Sequence, residues 1–211
     1  MKIDATIFYD VDTQRDFLMP DGKVHMPGAE KIIPMLAAIT DLAHETGVRI
    51  VCSVDHHVLG DPLLKSGGGP YPDHCIVGTP GEQKIDETAP RNPLYLENRQ
   101  YSPHEIQRIL DHKGEIIFDR YQFETFVRNA HVRAILRLLL QPISDVVIYG
   151  VYTEVCVDRV ITELIGLGPK LHLVKDAIAT SSSDRAGFFE KWTQQGAQLI
   201  TFEELRIRIF N

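Results

Sequence analysis

The 211-residue sequence has little of several features that mark particular protein classes. Three cysteines are too few for a disulfide-knotted miniprotein, and no stretch approaches the ~18 apolar residues of a membrane-spanning helix. The opening segment reaches an acidic residue at position 4, and its apolar run is too short for a signal peptide. We therefore expect a cytoplasmic protein whose cysteines are free thiols in a reducing compartment.

The sequence also has fewer basic than acidic residues. Twenty-two Lys and Arg residues against 29 Asp and Glu leave a net charge of −7, with no basic cluster interleaved with aromatics. Nucleic acid and anionic membranes are therefore poor partners, and a small-molecule substrate is expected instead. The composition is 44% hydrophobic and 24% charged, which is typical of an ordinary soluble domain.

Short β-branched runs alternate with amphipathic stretches along the chain, a pattern that predicts βαβ units around a parallel sheet. Six strands are expected, at about 4–11, 48–54, 115–119, 145–151, 170–175 and 197–202. Helices are expected at about 30–46, 103–112, 129–141, 153–167 and 183–195. The predicted fold class is α/β. One doubly wound, Rossmann-like domain spans residues 1–211, with a mostly parallel six-stranded sheet and helices on both faces.

The segment 55–101 is rich in Gly, Pro, His and Asp and follows neither the helical nor the strand period. It is too long for an ordinary connection, and it follows the carboxyl end of a strand, where open α/β sheets place their ligand sites. We expect it to be a metal-binding and substrate-binding loop. The alternative is a mobile excursion.

Carboxylates at Asp10 and Asp12 end the first predicted strand. A strand that ends in Asp-x-Asp also begins phosphatases of the haloacid dehalogenase type. Those enzymes have Thr or Val where this chain has Gln14. They also have a late pair of acidic residues that binds magnesium, whereas Lys175 and Asp176 provide one carboxylate. That interpretation therefore fails. A structural role, in which Asp12 caps a turn, stays open.

The fourth predicted strand, 145–151, leads into Cys156, which falls in the first turn of the next helix if Thr153 is its cap. Unpaired N–H groups and the helix dipole at that position lower a thiol pKa and can hold an oxyanion. A reactive thiol is therefore favoured at Cys156 over a buried small hydrophobe. For Cys52, inside a strand, we expect the buried role.

Asp55, His57 and His74 form a candidate metal triad in the long segment. Two neutral imidazoles and a carboxylate suit zinc, iron or manganese, and three protein ligands leave positions open for water or substrate. Spacing alone is weak evidence, because nine histidines in 211 residues give such arrangements by chance.

Four motifs together resemble the isochorismatase-like cysteine hydrolases, and the nicotinamidase branch in particular. They are Asp12-Thr-Gln-Arg-Asp-Phe17, Ser53-Val-Asp-His-His57, Tyr71-Pro-Asp-His-Cys-Ile-Val-Gly-Thr-Pro-Gly81 and Gly150-Val-Tyr-Thr-Glu-Val-Cys-Val157. The resemblance runs from the first strand to about Thr180. Its most discriminating part is the stretch 72–81, which is similar to the nicotinamidase metal loop. It implies a doubly wound α/β fold.

The resemblance also implies site roles. Cys156 would be the nucleophile and Asp12 the base, and Asp55, His57 and His74 would bind a divalent metal, with zinc first and iron or manganese as alternatives. A cis peptide is implied before Tyr152, with the N–H groups of Tyr152 and Cys156 forming the oxyanion hole. The branch that hydrolyses isochorismate lacks this thiol, so Cys156 indicates amide chemistry on a small carboxamide.

One position departs from the family. The family places a catalytic Lys at the end of the central strand, and the matching stretch here begins at Arg120. Arg120 is therefore the predicted third catalytic residue, alongside Asp12 and Cys156. Two alternatives stay open: a silent member that binds a ligand or partner, and a hydrolase of carbamoyl or ureido compounds. A homo-oligomer is expected, whose subunits help to line the pocket.

Overall fold

The computed structural model describes residues 1–97, 99–120, 130–180 and 183–210, except the side chains of residues 120, 130 and 131. Its sheet has seven strands: β1 Thr6–Val11, β2 Arg49–Asp55, β3 Leu94–Leu96, β4 Ile116–Arg120, β5 Asp145–Gly150, β6 Lys170–Ile178 and β7 Gln198–Ile200. All neighbours pair in parallel, in the order β3-β4-β2-β1-β5-β6-β7. The doubly wound α/β prediction is confirmed, and the count of six strands is wrong by one.

The additional strand is β3, which lies inside the segment 55–101 that we predicted to be irregular. It has three residues and pairs with β4 alone, from Leu94 opposite Ile116 to Leu96 opposite Phe118. A three-residue edge strand is too short to show a period-2 pattern, so the sequence carries no signal for it.

Seven α-helices accompany the described strands: α1 Arg15–Leu18, α2 Ile33–Thr46, α3 Pro103–Asp111, α4 Ala130–Leu140, α5 Asp158–Leu164, α6 Arg185–Gln194 and α7 Phe202–Phe210. Core residues of α3, α4, α5 and α6 pack on one face of the sheet, together with Tyr9 and Val11 of β1. Core residues of α2 and α7 pack on the other face, together with Phe8. Alternate residues of β1 therefore point to opposite layers, as a strand covered on both sides requires.

The ends of two predicted helices are set by proline, glycine and a side-chain cap. Helix α2 carries Pro34 in its first turn and ends at Gly47, whose φ of +76° is the left-handed conformation that glycine adopts without strain. Helix α3 begins with a capping box. The Ser102 hydroxyl accepts from the Glu105 N–H, and the Glu105 carboxylate accepts from the Ser102 N–H.

Among the described residues, every helix falls short of the length and hydropathy that a membrane crossing demands.

Candidate active site and metal centre

The ends of β1 and β5 form the centre of the candidate site. Val11 pairs with Gly150, and the N–H of Val151 donates to the Val11 carbonyl oxygen at 2.9 Å. Gly150 has a φ of +122°, and a Cβ there would lie 2.1 Å from that same oxygen. Only glycine fits this close approach. The chain segments that carry Asp12 and Cys156 therefore leave the sheet side by side.

Asp12 is fully buried directly after β1. Its φ of +49° is unusual for a residue with a side chain, so the surrounding contacts must hold it there. The Asp12 N–H donates to the Ser53 carbonyl oxygen at 3.1 Å, and the Ser53 hydroxyl donates to Asp12 Oδ1 at 2.7 Å. A buried, hydrogen-bonded carboxylate at this edge of the sheet suits the predicted base.

Cys156 lies in a π-helical turn, Thr153–Val157, that precedes α5, and it is 5% exposed. The predicted single helix over 153–167 is therefore wrong at its start. Thr153 is also not its cap, because Tyr152 precedes the turn and the Thr153 hydroxyl donates to Ala179 O at 2.9 Å. The peptide bond between Val151 and Tyr152 is cis, as the resemblance implies. The roles predicted for Tyr152 and Cys156 stay predictions.

The three candidate metal ligands, Asp55, His57 and His74, lie together. Asp55 Oδ2 is 3.7 Å from His57 Nε2 and 3.6 Å from His74 Nε2, and one ligand atom from each residue falls within 4.8 Å of the others. The loop folds back to bring them there: the His57 N–H donates to Cys75 O at 3.1 Å, and the Val77 N–H donates to His57 O at 2.8 Å.

The outer contacts of both histidines leave Nε2 directed at Asp55. His57 Nδ1 lies 3.0 Å from Asp61 Oδ2, and His74 Nδ1 donates to Pro72 O at 2.7 Å. Such contacts to the second ring nitrogen are what orient imidazoles that bind a metal through Nε2. The donor set is therefore one carboxylate and two oriented imidazoles, which fits zinc, iron or manganese.

The electrostatics of His57 agree with a cation site. Burial alone would lower the pKa of His57, but the hydrogen bonds and charges of Asp55 and Asp61 outweigh it and raise the pKa. The two carboxylates that stabilise a proton on His57 would also attract a metal cation. A bound divalent metal therefore competes with that proton.

Gln14 is a site residue to which the sequence assigned no role. It is fully buried in the turn after β1, and its amide pairs with the backbone of Asp55 in both directions. Its Nε2 also donates to the carbonyl oxygen of Glu82 at 2.7 Å. Gln14 thus fixes the end of β2, where the candidate metal ligand Asp55 lies. Its place two residues after Asp12 was the available signal.

Asp16 is a second residue whose role the sequence did not reveal. Its Oδ2 accepts from the Cys75 N–H at 2.7 Å and its Oδ1 from the Lys23 N–H at 3.0 Å. Cys75 has a φ of +46° and follows the candidate ligand His74. A Cβ at Gly81 would lie 2.2 Å from Asp16 Oδ2, which accounts for glycine at the end of the motif. Asp16 therefore anchors the His74 segment.

Arg120 is the last residue of β4, and its backbone pairs with Asp55 in the sheet register. The strand thus delivers it to the edge where β1 and β2 end. Its side chain, and the rest of the predicted family stretch through Phe126, lie outside the described residues. The role predicted for Arg120 stays a prediction.

Cys52 has the buried role that the sequence predicts. It is fully buried in β2, and burial raises the pKa of its thiol well above the usual value. All three cysteines are free thiols.

Comparison with known proteins agrees with this geometry. The isochorismatase domain family matches residues 102–204. A zinc complex of pyrazinamidase from Pyrococcus horikoshii is 25% identical, with a TM-score of 0.72, covering 94% of this chain and 99% of that one. A pyrazinamidase/nicotinamidase from Streptococcus mutans is 24% identical, with a TM-score of 0.70 and coverage of 92% and 99%.

N-carbamoylsarcosine amidase from Thermoplasma acidophilum is also similar, at 21% identity and a TM-score of 0.69, with coverage of 95% of this chain and 96% of that one. Both the Streptococcus mutans and the Thermoplasma acidophilum structures are less than 25% identical to this chain, so they support the fold alone. The domain match and the zinc-complex structure add to the motifs around Asp12, His74 and Cys156. The predicted resemblance to the isochorismatase-like hydrolases is therefore confirmed.

Proposed function

We propose that this chain is a metal-assisted cysteine amidohydrolase that releases ammonia from a small carboxamide, as nicotinamidases do. The observation that carries the proposal is the pairing of Val11 with Gly150. Because β1 and β5 are adjacent and end together there, the segments that carry Asp12 and Cys156 begin side by side at the same edge of the sheet. The similarity to a pyrazinamidase supports the same chemistry. In this proposal the whole chain, residues 1–211, acts as one hydrolase domain.

The first half-reaction cleaves the C–N bond. Asp12 takes the proton of the Cys156 thiol, and the thiolate attacks the carbonyl carbon of the amide. The backbone N–H groups of Tyr152 and Cys156 hold the oxyanion that forms. As the oxyanion collapses, the C–N bond breaks, Asp12 returns the proton to the leaving nitrogen, and ammonia departs. The acyl group stays on Cys156 as a thioester.

The second half-reaction restores the enzyme. Asp12 accepts a proton from water, which attacks the thioester carbonyl. The C–S bond breaks, the carboxylic acid leaves, and the proton on Asp12 returns to the Cys156 sulfur. Arg120 contributes positive charge beside the two anions. A guanidinium with a pKa above ~12 does not exchange a proton at neutral pH, so Asp12 carries all the proton transfers.

Asp55, His57 and His74 would hold the divalent metal. When bound, it supplies an open coordination position that anchors the ring nitrogen of the substrate or a water molecule. The orientation of both imidazoles by Asp61 and Pro72 supports this assignment. Zinc is the first candidate, because the similar pyrazinamidase structure is a zinc complex.

A cytoplasmic setting and a homo-oligomeric assembly belong to the same proposal. A reducing compartment suits three free thiols, one of them the proposed nucleophile.

The test is ammonia release from a panel of carboxamides and ureides, nicotinamide included, with Cys156→Ala as the background. Turnover of at least one carboxamide above that background is expected. Preference for ureides would move the assignment to a carbamoyl or ureido hydrolase.

One observation favours a second candidate function, a catalytically silent member that binds a small ligand. Arg120 stands where the family has its catalytic Lys. In that case members of the panel would bind without turnover. Ammonia release by the wild type above the Cys156→Ala background excludes this candidate.

A further inference from the structure

An ion pair lies in the apolar layer under the Asp12 turn, on the face of the sheet covered by α2 and α7. Lys84 Nζ is 3.1 Å from Asp10 Oδ2, and the two side chains are 3% and 2% exposed. The surrounding core of that face includes Phe8 and Ile117. Buried ion pairs are costly to desolvate, and apolar replacements are often as stable. Stability alone therefore does not account for this pair.

The pair is connected to the turn that carries the proposed base. Thr13 follows Asp12, and its hydroxyl donates to Asp10 Oδ2 at 3.0 Å. Because that proton is used, the Thr88 hydroxyl, 2.7 Å away, donates to the Thr13 oxygen. The Thr13 side chain is thus held between Asp10 and Thr88, and its position depends on Asp10 accepting a hydrogen bond.

The backbone of residues 83–85 forms hydrogen bonds with the same turn, residues 13–15. Ile85 N–H donates to Thr13 O at 3.0 Å, and Lys84 forms an isolated antiparallel bridge with Gln14. The Arg15 N–H donates to the carbonyl oxygen of Gln83 at 2.8 Å. The three residues that follow Asp12 are therefore each fastened to the short segment around Lys84.

Asp12 needs these contacts, because its left-handed backbone conformation is unfavourable for a residue with a side chain and persists only where neighbouring contacts hold it. Lys84 also keeps Asp10 available as an acceptor. Burial raises the pKa of the Asp10 carboxyl, and the Lys84 ammonium opposes that rise. Burial alone would lower the pKa of Lys84, but the charges of Asp10 and, more weakly, Asp12 raise it. The ammonium therefore stays charged at neutral pH.

We infer that the buried Lys84–Asp10 pair is a positioning device for the Asp12 carboxylate, acting through the hydroxyl of Thr13. Lys84 is a positioning residue, and it acts from the sheet face opposite to the layer that contains Cys156. The inference rests on the proposed function, in which Asp12 activates Cys156. Without Lys84, Asp10 is an unpaired buried carboxyl that takes up a proton, and its new O–H donates toward the Thr13 hydroxyl instead of accepting from it.

The test measures the reactivity of the Cys156 thiol, which requires no substrate. Iodoacetamide alkylation of the peptide containing Cys156 is followed by mass spectrometry across pH, well below the Tm of every variant. The variants are Lys84→Met, which keeps the side-chain volume, Asp10→Asn/Lys84→Met, which restores a neutral acceptor, and Asp12→Asn, which removes the base. A merely structural role would lower Tm and leave the pH profile of folded protein unchanged.

We expect Lys84→Met to slow alkylation at neutral pH at least tenfold and to shift its profile toward that of Asp12→Asn. The added Asp10→Asn change should restore the rate to within threefold of the wild type. A wild-type profile in Lys84→Met, with Asp12→Asn at least tenfold slower, would overturn the inference and leave the proposed function standing. A wild-type profile in Asp12→Asn would remove Asp12 as the base, and the inference would fail with the proposed mechanism.

Discussion

The side chain of Gln14 and the backbone of Asp55 are joined by two hydrogen bonds. The Asp55 N–H donates to Gln14 Oε1 at 2.6 Å, and Gln14 Nε2 donates to Asp55 O at 2.8 Å. Gln14 belongs to the turn of the proposed base, and Asp55 is a proposed metal ligand. The turn that carries the proposed base and the strand end that carries the proposed metal ligand are therefore held together directly.

Gln14→Leu should weaken both metal binding and stability. The variant removes the two hydrogen bonds between the Gln14 side chain and the backbone of Asp55, which costs about 2 kcal/mol or more of unfolding free energy. Misplacing a ligand of the metal should lower affinity about 10–100-fold. Urea unfolding and zinc titration measure the two effects. Gln107→Leu, at an exposed helical position, is the matched control and should change neither.

Metal content tests the triad directly. Protein purified without added metal or a His tag should contain near one equivalent of zinc, iron or manganese by elemental analysis. The double variant His57→Ala/His74→Ala should lose it, because a single carboxylate remains. His104→Ala, exposed on α3, controls for loss of any histidine. Undiminished metal in the double variant would remove these ligands from the account.

Metal affinity should fall as the pH becomes acidic, because the metal binds the neutral form of His57. The pKa of His57 is raised above its ordinary value of 6.5, so protons begin to compete with the metal above that pH. Asp61→Asn removes one of the charges that raise the pKa. The onset of competition should therefore move to lower pH in that variant, while affinity at neutral pH weakens.

Chelator competition with zinc across neutral and mildly acidic pH measures both changes. An affinity that does not vary with pH would show that His57 is not a ligand.

Arg120→Lys should raise kcat/KM for the preferred substrate by about tenfold, which corresponds to about 1.4 kcal/mol of transition-state stabilisation. A guanidinium tends to clamp a carboxylate, here Asp12, which lowers its pKa and weakens it as a base. A Lys keeps the charge and removes the planar clamp. Steady-state kinetics of the two proteins decide this. An unchanged kcat/KM would mean that the side chain at position 120 is not in the site.

The sequence predicted the sheet because continuous apolar runs such as 145–151 are characteristic of buried parallel strands. The ligand types of Asp55, His57 and His74 gave only a weak prediction of a metal triad, and the resemblance of the stretch 72–81 to the nicotinamidase metal loop strengthened it. Strand β3 escaped prediction because three edge residues carry no period.

The contacts of Gln14, Asp16 and Lys84 could not be predicted for a different reason. Each depends on a partner 41 or more positions away: Gln14 with Asp55, Asp16 with Cys75, and Lys84 with Asp10. In sequence, Lys84 is an ordinary lysine of a polar loop, and only the folded loop buries it against Asp10. Long-range polar pairing of this kind has no periodic or spacing signature.

The central claim is that the Cys156 thiolate cleaves the C–N bond. The most direct test compares initial rates of ammonia release for the wild type, Cys156→Ala and Cys52→Ala, the last being a thiol buried in β2. The account predicts that Cys156→Ala falls to the uncatalysed background while Cys52→Ala retains turnover. Ammonia release by Cys156→Ala at the wild-type rate would contradict it.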